Sequence, residues 1–208
     1  MSSIDNKKRF NTLAQEWDTK PQRVEGAMIF VDKIIDLIDQ DISDFNILDY
    51  GSGSGLVSFG FSNKVKNIIG LDNSEAMVEV YNQKSKNLNL NNIQSKLHDI
   101  NKEILDLNYF DLIATNMTMH HIKDINLFIK KLYDALKTNG DLFIADLVLE
   151  DGKFHSDNTG VEHFGFDTDE IKSIFNNCGS IDIHCEILNT IDKEHNSYDV
   201  FIIKGKKI

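Results

Sequence analysis

Three glycines stand at alternate positions in Asp49-Tyr50-Gly51-Ser52-Gly53-Ser54-Gly55. Glycine takes positive φ without strain and lets a ligand approach the backbone closely. A helix opening after such a turn aims its unpaired N–H groups at the same place. Taken alone, the turn serves equally well as a tight strand-to-helix connection. Asp72 follows about 20 residues later, where a carboxylate accepts both hydroxyls of a ribose. Its plainer use is as a cap for the helix that begins at Ser74. Asp99, in His98-Asp99-Ile100, suits an acceptor for the exocyclic amine of an adenine, or is an ordinary loop aspartate. Three carboxylates on one edge are a poor home for a pyrophosphate. They suit a ligand with a hydroxyl pair, an amine and a positive centre. The glycine spacing agrees, because a dinucleotide fingerprint wants its third glycine where this chain has Leu56.

Histidines are the candidate proton-transfer groups. His120 and His121 follow a predicted strand, where one could orient or deprotonate a substrate; the alternative is that they bond to backbone or cap the next helix. His163, in Val161-Glu162-His163-Phe164-Gly165-Phe166, ends a long segment without periodicity, and His155 stands in the same segment. His184 and His195 fall in a predicted terminal hairpin, where no role is expected. No HExxH or CxxC spacing occurs, so no metal site is expected. Cys178 and Cys185 read as a helix-end and a strand-interior residue, reduced and buried.

These side chains need a scaffold that brings them to one place. Phe10, Leu13, Ala14 and Trp17 have helical spacing, and Pro21 breaks that helix or starts the next. Apolar residues at 24, 27, 28, 31, 34, 35 and 38 form a helical stripe. From there strands and helices alternate: strands over 46–50, 65–71, 93–98, 110–115 and 141–149, with helices over 56–62, 75–88 and 125–136. A short helical turn is expected over 103–107, and the helix from 125 is expected to stop near Asn139-Gly140. Residues 150–166 read as a loop of functional length, followed by a helix from Asp167 or Thr168 to about Cys178. Two last strands, 181–191 and 198–203, read as a hairpin. Such alternation predicts an α/β, doubly wound, mostly parallel sheet with helices on both faces. Right-handed crossovers place the C-terminal ends of its strands on one edge, where ligands bind.

The segments ILDYGSGSGLVSF, IIGLDNSEAMVEV, KLHDIN, FDLIATNMTMHHI and GDLFIADL, in that order, resemble the class I S-adenosylmethionine-dependent methyltransferases. The likeness is greatest to the small-molecule group around the ubiquinone and menaquinone biosynthesis enzymes. It covers about residues 10–205. The resemblance implies a seven-stranded Rossmann-like sheet whose last strand is antiparallel, in one domain. Residues 1–40 would form a small N-terminal helical cap, 41–208 the core, and 150–166 a loop over the substrate. It also implies roles. Asp49 and the turn Gly51, Ser52, Gly53 and Gly55 would hold the methionine part of S-adenosylmethionine. Asp72 would take the ribose, with Asn73 beside it. Asp99 and Ile100 would flank the adenine, and Asn116 and Met117 would line the floor near the sulfonium. His163, in the substrate loop, is the preferred base or substrate contact, with His121 as the other candidate. Phe10 and Trp17 are either core of the cap or part of a lid.

Charge and composition narrow the acceptor. A net charge of −11 disfavours phosphate backbones and anionic membranes. Asn116 is followed by Met117-Thr118-Met119, without the prolines or cysteine that nucleobase methylation in this family uses at that place. A partly apolar small molecule is therefore the expected acceptor. Two cysteines and no apolar leader predict a cytoplasmic protein, monomeric or homodimeric. A non-catalytic module that binds S-adenosylmethionine or S-adenosylhomocysteine, and a nicotinamide-dependent oxidoreductase, are the competing readings.

Overall fold

The structure, a computed structural model, describes residues 3–193 and 196–208, with side chains from Lys8 onward. His195 therefore lies outside the described residues. The chain opens with helix α1 (Ser3–Leu13), a 3₁₀ stretch (Ala14–Thr19) and helix α2 (Pro21–Asp36). Pro21 stands in the first turn of α2, where its missing N–H costs nothing. The core follows as β1 (Asn46–Tyr50), α3 (Leu56–Phe61), β2 (Asn67–Asp72), α4 (Glu75–Asn87), β3 (Ile93–Leu97) and β4 (Phe110–Asn116). It continues through α5 (Ile125–Ala135), β5 (Leu136–Leu147), α6 (Thr168–Asn177), β6 (Ile181–Lys193) and β7 (Asn196–Lys206).

Among the described residues the strands form one seven-stranded sheet in the order β3-β2-β1-β4-β5-β7-β6. The first five strands pair in parallel, and β7 runs antiparallel to both β5 and β6. The order reverses between β1 and β4, so the crevice at the ends of those two strands is the switch point where ligands bind in such sheets. Both faces are covered, and the strands alternate between two cores. Leu48, Ile113, Leu142, Ile144, Phe201 and Ile203 pack with α5 and α6. Ile47, Leu112, Phe143, Ala145, Val200 and Ile202 pack on the other side with α2, α3 and Tyr81 of α4.

The helical stripe of α2 thus buries Ala27, Phe30, Val31 and Ile34 against the sheet. This helix is one of the covering helices, and the cap proper is α1 with the 3₁₀ stretch. Two expectations change. Residues 103–107 are not helical; Leu105 is buried but Ile104 is 90% and Leu107 68% exposed, so no apolar face exists to dock a helix turn. Helix α5 ends at Ala135 instead of near Asn139-Gly140, because buried Leu136 already takes extended dihedrals and pairs with Phe110 of β4. Residues 150–166 hold no helix or strand, and a bridge between Val148 and Phe166 closes the segment at its base. Cys178 and Cys185 are free and half-buried. No helix among the described residues is long and apolar enough to cross a membrane.

Candidate functional site

The C-terminal ends of β1, β2, β3 and β4 open onto one cavity of about 1230 Å³. Its walls include Asp49, Gly51, Ser52, Gly53, Asp72 and Asn73, and also Asp99, Ile100, Asn116 and Met117.

Local backbone chemistry builds the first wall. Gly51 has φ 73°, and a Cβ there would sit 2.1 Å from Thr118 Oγ1 on the loop after β4. Both the dihedral and the space demand glycine. Gly53 has φ 51°, and the Cβ it lacks would point into open cavity, with Met77 Sδ at 4.0 Å as its nearest contact. Gly55 differs: its Cβ would strike Phe59 and Tyr81, so it serves helix packing and does not line the cavity. Asp72 closes the turn from the far side, accepting from Gly53 N at 2.8 Å through Oδ2 and from Ser74 N at 2.8 Å through Oδ1. Burial pushes its carboxyl above the usual range despite those donors. Ser74, as expected, caps α4 by accepting from Met77 N.

Asp49 is 2% exposed and accepts from Ser58 N and Ser58 Oγ, tying β1 to the first turn of α3. Burial, and to a lesser degree Asp72, push its carboxyl up to about 6. Asp99 pairs with Lys102 at 2.7 Å and accepts from Asn101 N. Its partial burial would raise the carboxyl, but Lys102 and Asn101 hold it below the usual range. The N–H of Ile100 donates to Tyr50 Oη, so an aromatic hydroxyl inside the glycine motif fixes the loop after β3. Sequence reading did not assign Tyr50 that function. Met117 sits at φ 52°, a left-handed conformation unusual for a side chain of its size, on the cavity wall.

The cap helices form the second wall. Asn11 Oδ1 accepts from Ser74 Oγ and Ala76 N, adding a cap to α4. Asp18 accepts from Ser54 Oγ and pairs with Lys84, fastening the 3₁₀ stretch to the glycine turn. Phe10 packs on Trp17 and edge-on against His121, while Arg23 stacks over the Trp17 ring at 3.6 Å. Phe10 and Trp17 both line the cavity.

The third wall is made of histidines. His121 lines the cavity and donates from Nδ1 to Gly160 O at 2.8 Å. Burial, with neighbouring His120 adding, lowers it to about 3. His163 does not line the cavity: its ring lies against Phe166 and its Nε2 is bonded to Ile122 O at 2.9 Å. Together with Glu162 N and His163 N, which donate to His120 O, this bond straps the end of the 150–166 segment to the turn after β4. His184 lies on β6 near Glu186 and is not a cavity residue.

His120, for which the sequence offers either a proton-transfer role or a backbone bond, holds the most organised position. It is 1% exposed, and its Nδ1 meets Asp146 Oδ1 at 2.7 Å. Asp146, fully buried on β5, also accepts from His120 N and Leu147 N. Burial would raise this carboxyl, but His120 and the N–H donors outweigh it and hold it below the ordinary range. Nothing in the one-dimensional spacing of His120 and Asp146 announces the pair. Pairing of β4 with β5 creates it, setting Asn116 beside Ala145 just before both residues. His155 joins from the 150–166 segment, with its ring centroid 5.0 Å from that of His120. Burial and the charges of His120 and Arg9 lower it to about 4. Arg9 donates to Asp157 O and Lys193 to Phe154 O, so two cations pin the backbone on either side of His155. Among the described residues, no three His, Cys, Asp or Glu side chains are placed to share a metal ion.

Comparison with known proteins agrees with this architecture. A family model described as a methyltransferase domain matches residues 41–205. The chain belongs to that methyltransferase family. An uncharacterized methyltransferase of Schizosaccharomyces pombe is 32% identical over 170 residues, 70% of this chain and 60% of the relative. A ubiquinone biosynthesis O-methyltransferase of Pelagibacter ubique is 29% identical over 163 residues, 71% of this chain and 67% of the relative. The chain therefore spans 60% of the length of the yeast relative. Among solved structures, a SAM-dependent methyltransferase from Aquifex aeolicus superposes with a TM-score of 0.68 at 20% identity, over 97% of this chain and 98% of that one. Phosphoethanolamine N-methyltransferase 2 of Haemonchus contortus, crystallised with S-adenosyl-L-methionine, gives 0.72 at 15% identity, over 95% and 60%. At those identities the likeness establishes the fold.

Proposed function

We propose that this chain transfers a methyl group from S-adenosylmethionine to a small-molecule acceptor. The observation that carries the reading is one cavity shared by the glycine turn, three acidic strand ends and a histidine wall. The donor fits the first part. The missing Cβ of Gly53 leaves a cradle open to the cavity, and Asp72 presents a half-buried carboxylate beside it. Asp72 and Asn73 would hold the ribose hydroxyls, and Asp99 and Ile100 would flank the adenine. Asp49, Gly51, Ser52 and Gly53 would receive the methionine part, with Asn116 and Met117 next to the sulfonium. Bound there, S-adenosylmethionine supplies a methyl group already activated as a sulfonium substituent.

The protein's share is then positioning and water exclusion. Phe10, Trp17 and the 150–166 segment cover the acceptor end, where His121 presents an uncharged imidazole at neutral pH. A net charge of −11 supports a small acceptor over a nucleic acid or an anionic membrane surface. We take the domain to be a single unit, cytoplasmic, and monomeric or homodimeric. Calorimetric titration with S-adenosylmethionine, S-adenosylhomocysteine and NADH tests the cofactor. The expected result is micromolar binding of the first two and none of NADH. Binding of neither adenosyl compound would overturn the proposal.

A further inference from the structure

Two polar atoms in the acceptor wall are unaccounted for. Among the described residues, His120 Nε2 and His155 Nε2 are both buried without a hydrogen-bond partner. A buried imidazole nitrogen left unpaired is costly, so each calls for a partner that enters from the cavity. The identity of the His120 nitrogen follows from its surroundings. Asp146 is fully buried and ionised, so it accepts the Nδ1 proton, and Nε2 is left as a bare lone pair. An uncharged His155 can instead carry its proton on Nε2. The two ring centroids are 5.0 Å apart, and a hydroxyl group is both donor and acceptor, so a hydroxyl seated between the rings would give its proton toward His120 and accept from His155.

We infer that His120, oriented by Asp146, is the general base of this site, and that the acceptor is an alcohol or phenol held between His120 and His155. The inference rests on the methyl-transfer reading above. A carboxylate or a thiolate needs no base at neutral pH, whereas a hydroxyl does. The step balances as follows. His120 Nε2 takes the hydroxyl proton while the oxygen's electron pair forms the bond to the methyl carbon. The methyl–sulfur bond breaks with its electrons kept by sulfur, and the imidazolium, paired with Asp146, then returns its proton to water. His121, Arg9 and Lys193 are the other titratable neighbours of His120 and His155, and the donation from His121 to Gly160 O keeps its Nδ1 occupied.

The test uses the full chain and a panel of phenols and aliphatic alcohols, each matched with the amine of the same skeleton. Release of S-adenosylhomocysteine is the activity readout. Turnover is expected on hydroxyl compounds and not on their amines. His120→Gln is expected to lower kcat about 100-fold, with S-adenosylhomocysteine affinity within about twofold. His155→Gln, on the loop side, is expected to raise KM about tenfold, and it carries the test if His120→Gln does not fold. Turnover confined to amines would overturn the inference, as would no turnover on any hydroxyl probe or a His120→Gln rate within threefold of the parent. A readout without turnover is the ¹⁵N spectrum of the histidine rings. His120 is expected as the single Nδ1–H tautomer, mixed in Asp146→Asn, and an Nε2–H tautomer in the parent would overturn the dyad. Failure to bind S-adenosylhomocysteine would instead overturn the methyl-transfer reading and leave the tautomer result to judge the dyad.

Discussion

On the proposed reading the cavity has a donor end and an acceptor end, built by different physics. At the donor end, Gly51, Gly53, Asp72 and Ile100 lie within a few residues of strand termini, and backbone N–H groups make most of the contacts. Asp72 accepts from Gly53 and Ser74, and Tyr50 accepts from Ile100. At the acceptor end, side chains from α1, the turn after β4, β5 and the 150–166 segment meet through rings and carbonyls. The donor end depends on left-handed conformations that glycine adopts without strain. The acceptor end depends on desolvated imidazoles held uncharged. The first has no room for an added atom at Gly51, and the second is sensitive to protons.

The sharpest way to break that contrast is to add atoms at the donor end. Gly51→Val combines a left-handed dihedral with a clash against Thr118, so a loss of about 3–4 kcal/mol in stability is expected, with S-adenosylhomocysteine binding lost. Denaturant melts and calorimetry read both, and a variant as stable as the parent would show that the turn relaxes. Protons should do to the acceptor end what atoms do to the donor end. The folded value for His121 lies near 3, below its unfolded value of about 6.5. The unfolded chain therefore binds a proton first, and stability falls as pH drops from about 6.5. Roughly 3 kcal/mol should be gone by pH 4. His155, lowered to about 4, adds in the same direction. Melting curves against pH check this, and His121→Gln should flatten the slope; an unchanged slope would assign it to other groups.

A smaller effect isolates ligand contact from architecture. Asp72→Ala is expected to weaken S-adenosylhomocysteine binding by about 1.5–3 kcal/mol, because a charged acceptor is removed. Unchanged affinity would remove Asp72 from the ribose site. At Asp49 function and stability should separate. Its carboxyl is raised to about 6, so the folded state holds its proton more tightly and stability declines as pH rises from about 4 to 6. Asp49→Asn should then gain about 2 kcal/mol of stability at pH 7 while weakening cofactor binding. The smallest change concerns the strap. His163→Ala loses the bond to Ile122 O and should cost about 1 kcal/mol in stability with the pH profile of activity intact. A lost or shifted limb in that profile would return His163 to the chemistry.

The sequence by itself determined the sheet and the local backbone of the glycine turn and its acidic neighbours. Glycines at alternate positions, an acidic residue at the end of each early strand and the strand–helix alternation are local signals. Each states a backbone conformation or a cap within a few residues, as Ser74 and Asp167 do for their helices. Tertiary structure decided the rest. His120 and Asp146 are 26 residues apart and meet because parallel β4 and β5 end side by side. His155 reaches them because Arg9 and Lys193 pin a segment without periodicity of its own. His163 looked chemically placed by its loop, yet its ring is spent on the Ile122 carbonyl. Gly55 looked like part of the ligand turn, yet it makes room for Phe59 and Tyr81. Periodicity and capping are properties of neighbours along the chain, so one dimension carries them. Which imidazole keeps a free lone pair depends on desolvation and on partners across the sheet, and only the packed fold supplies those.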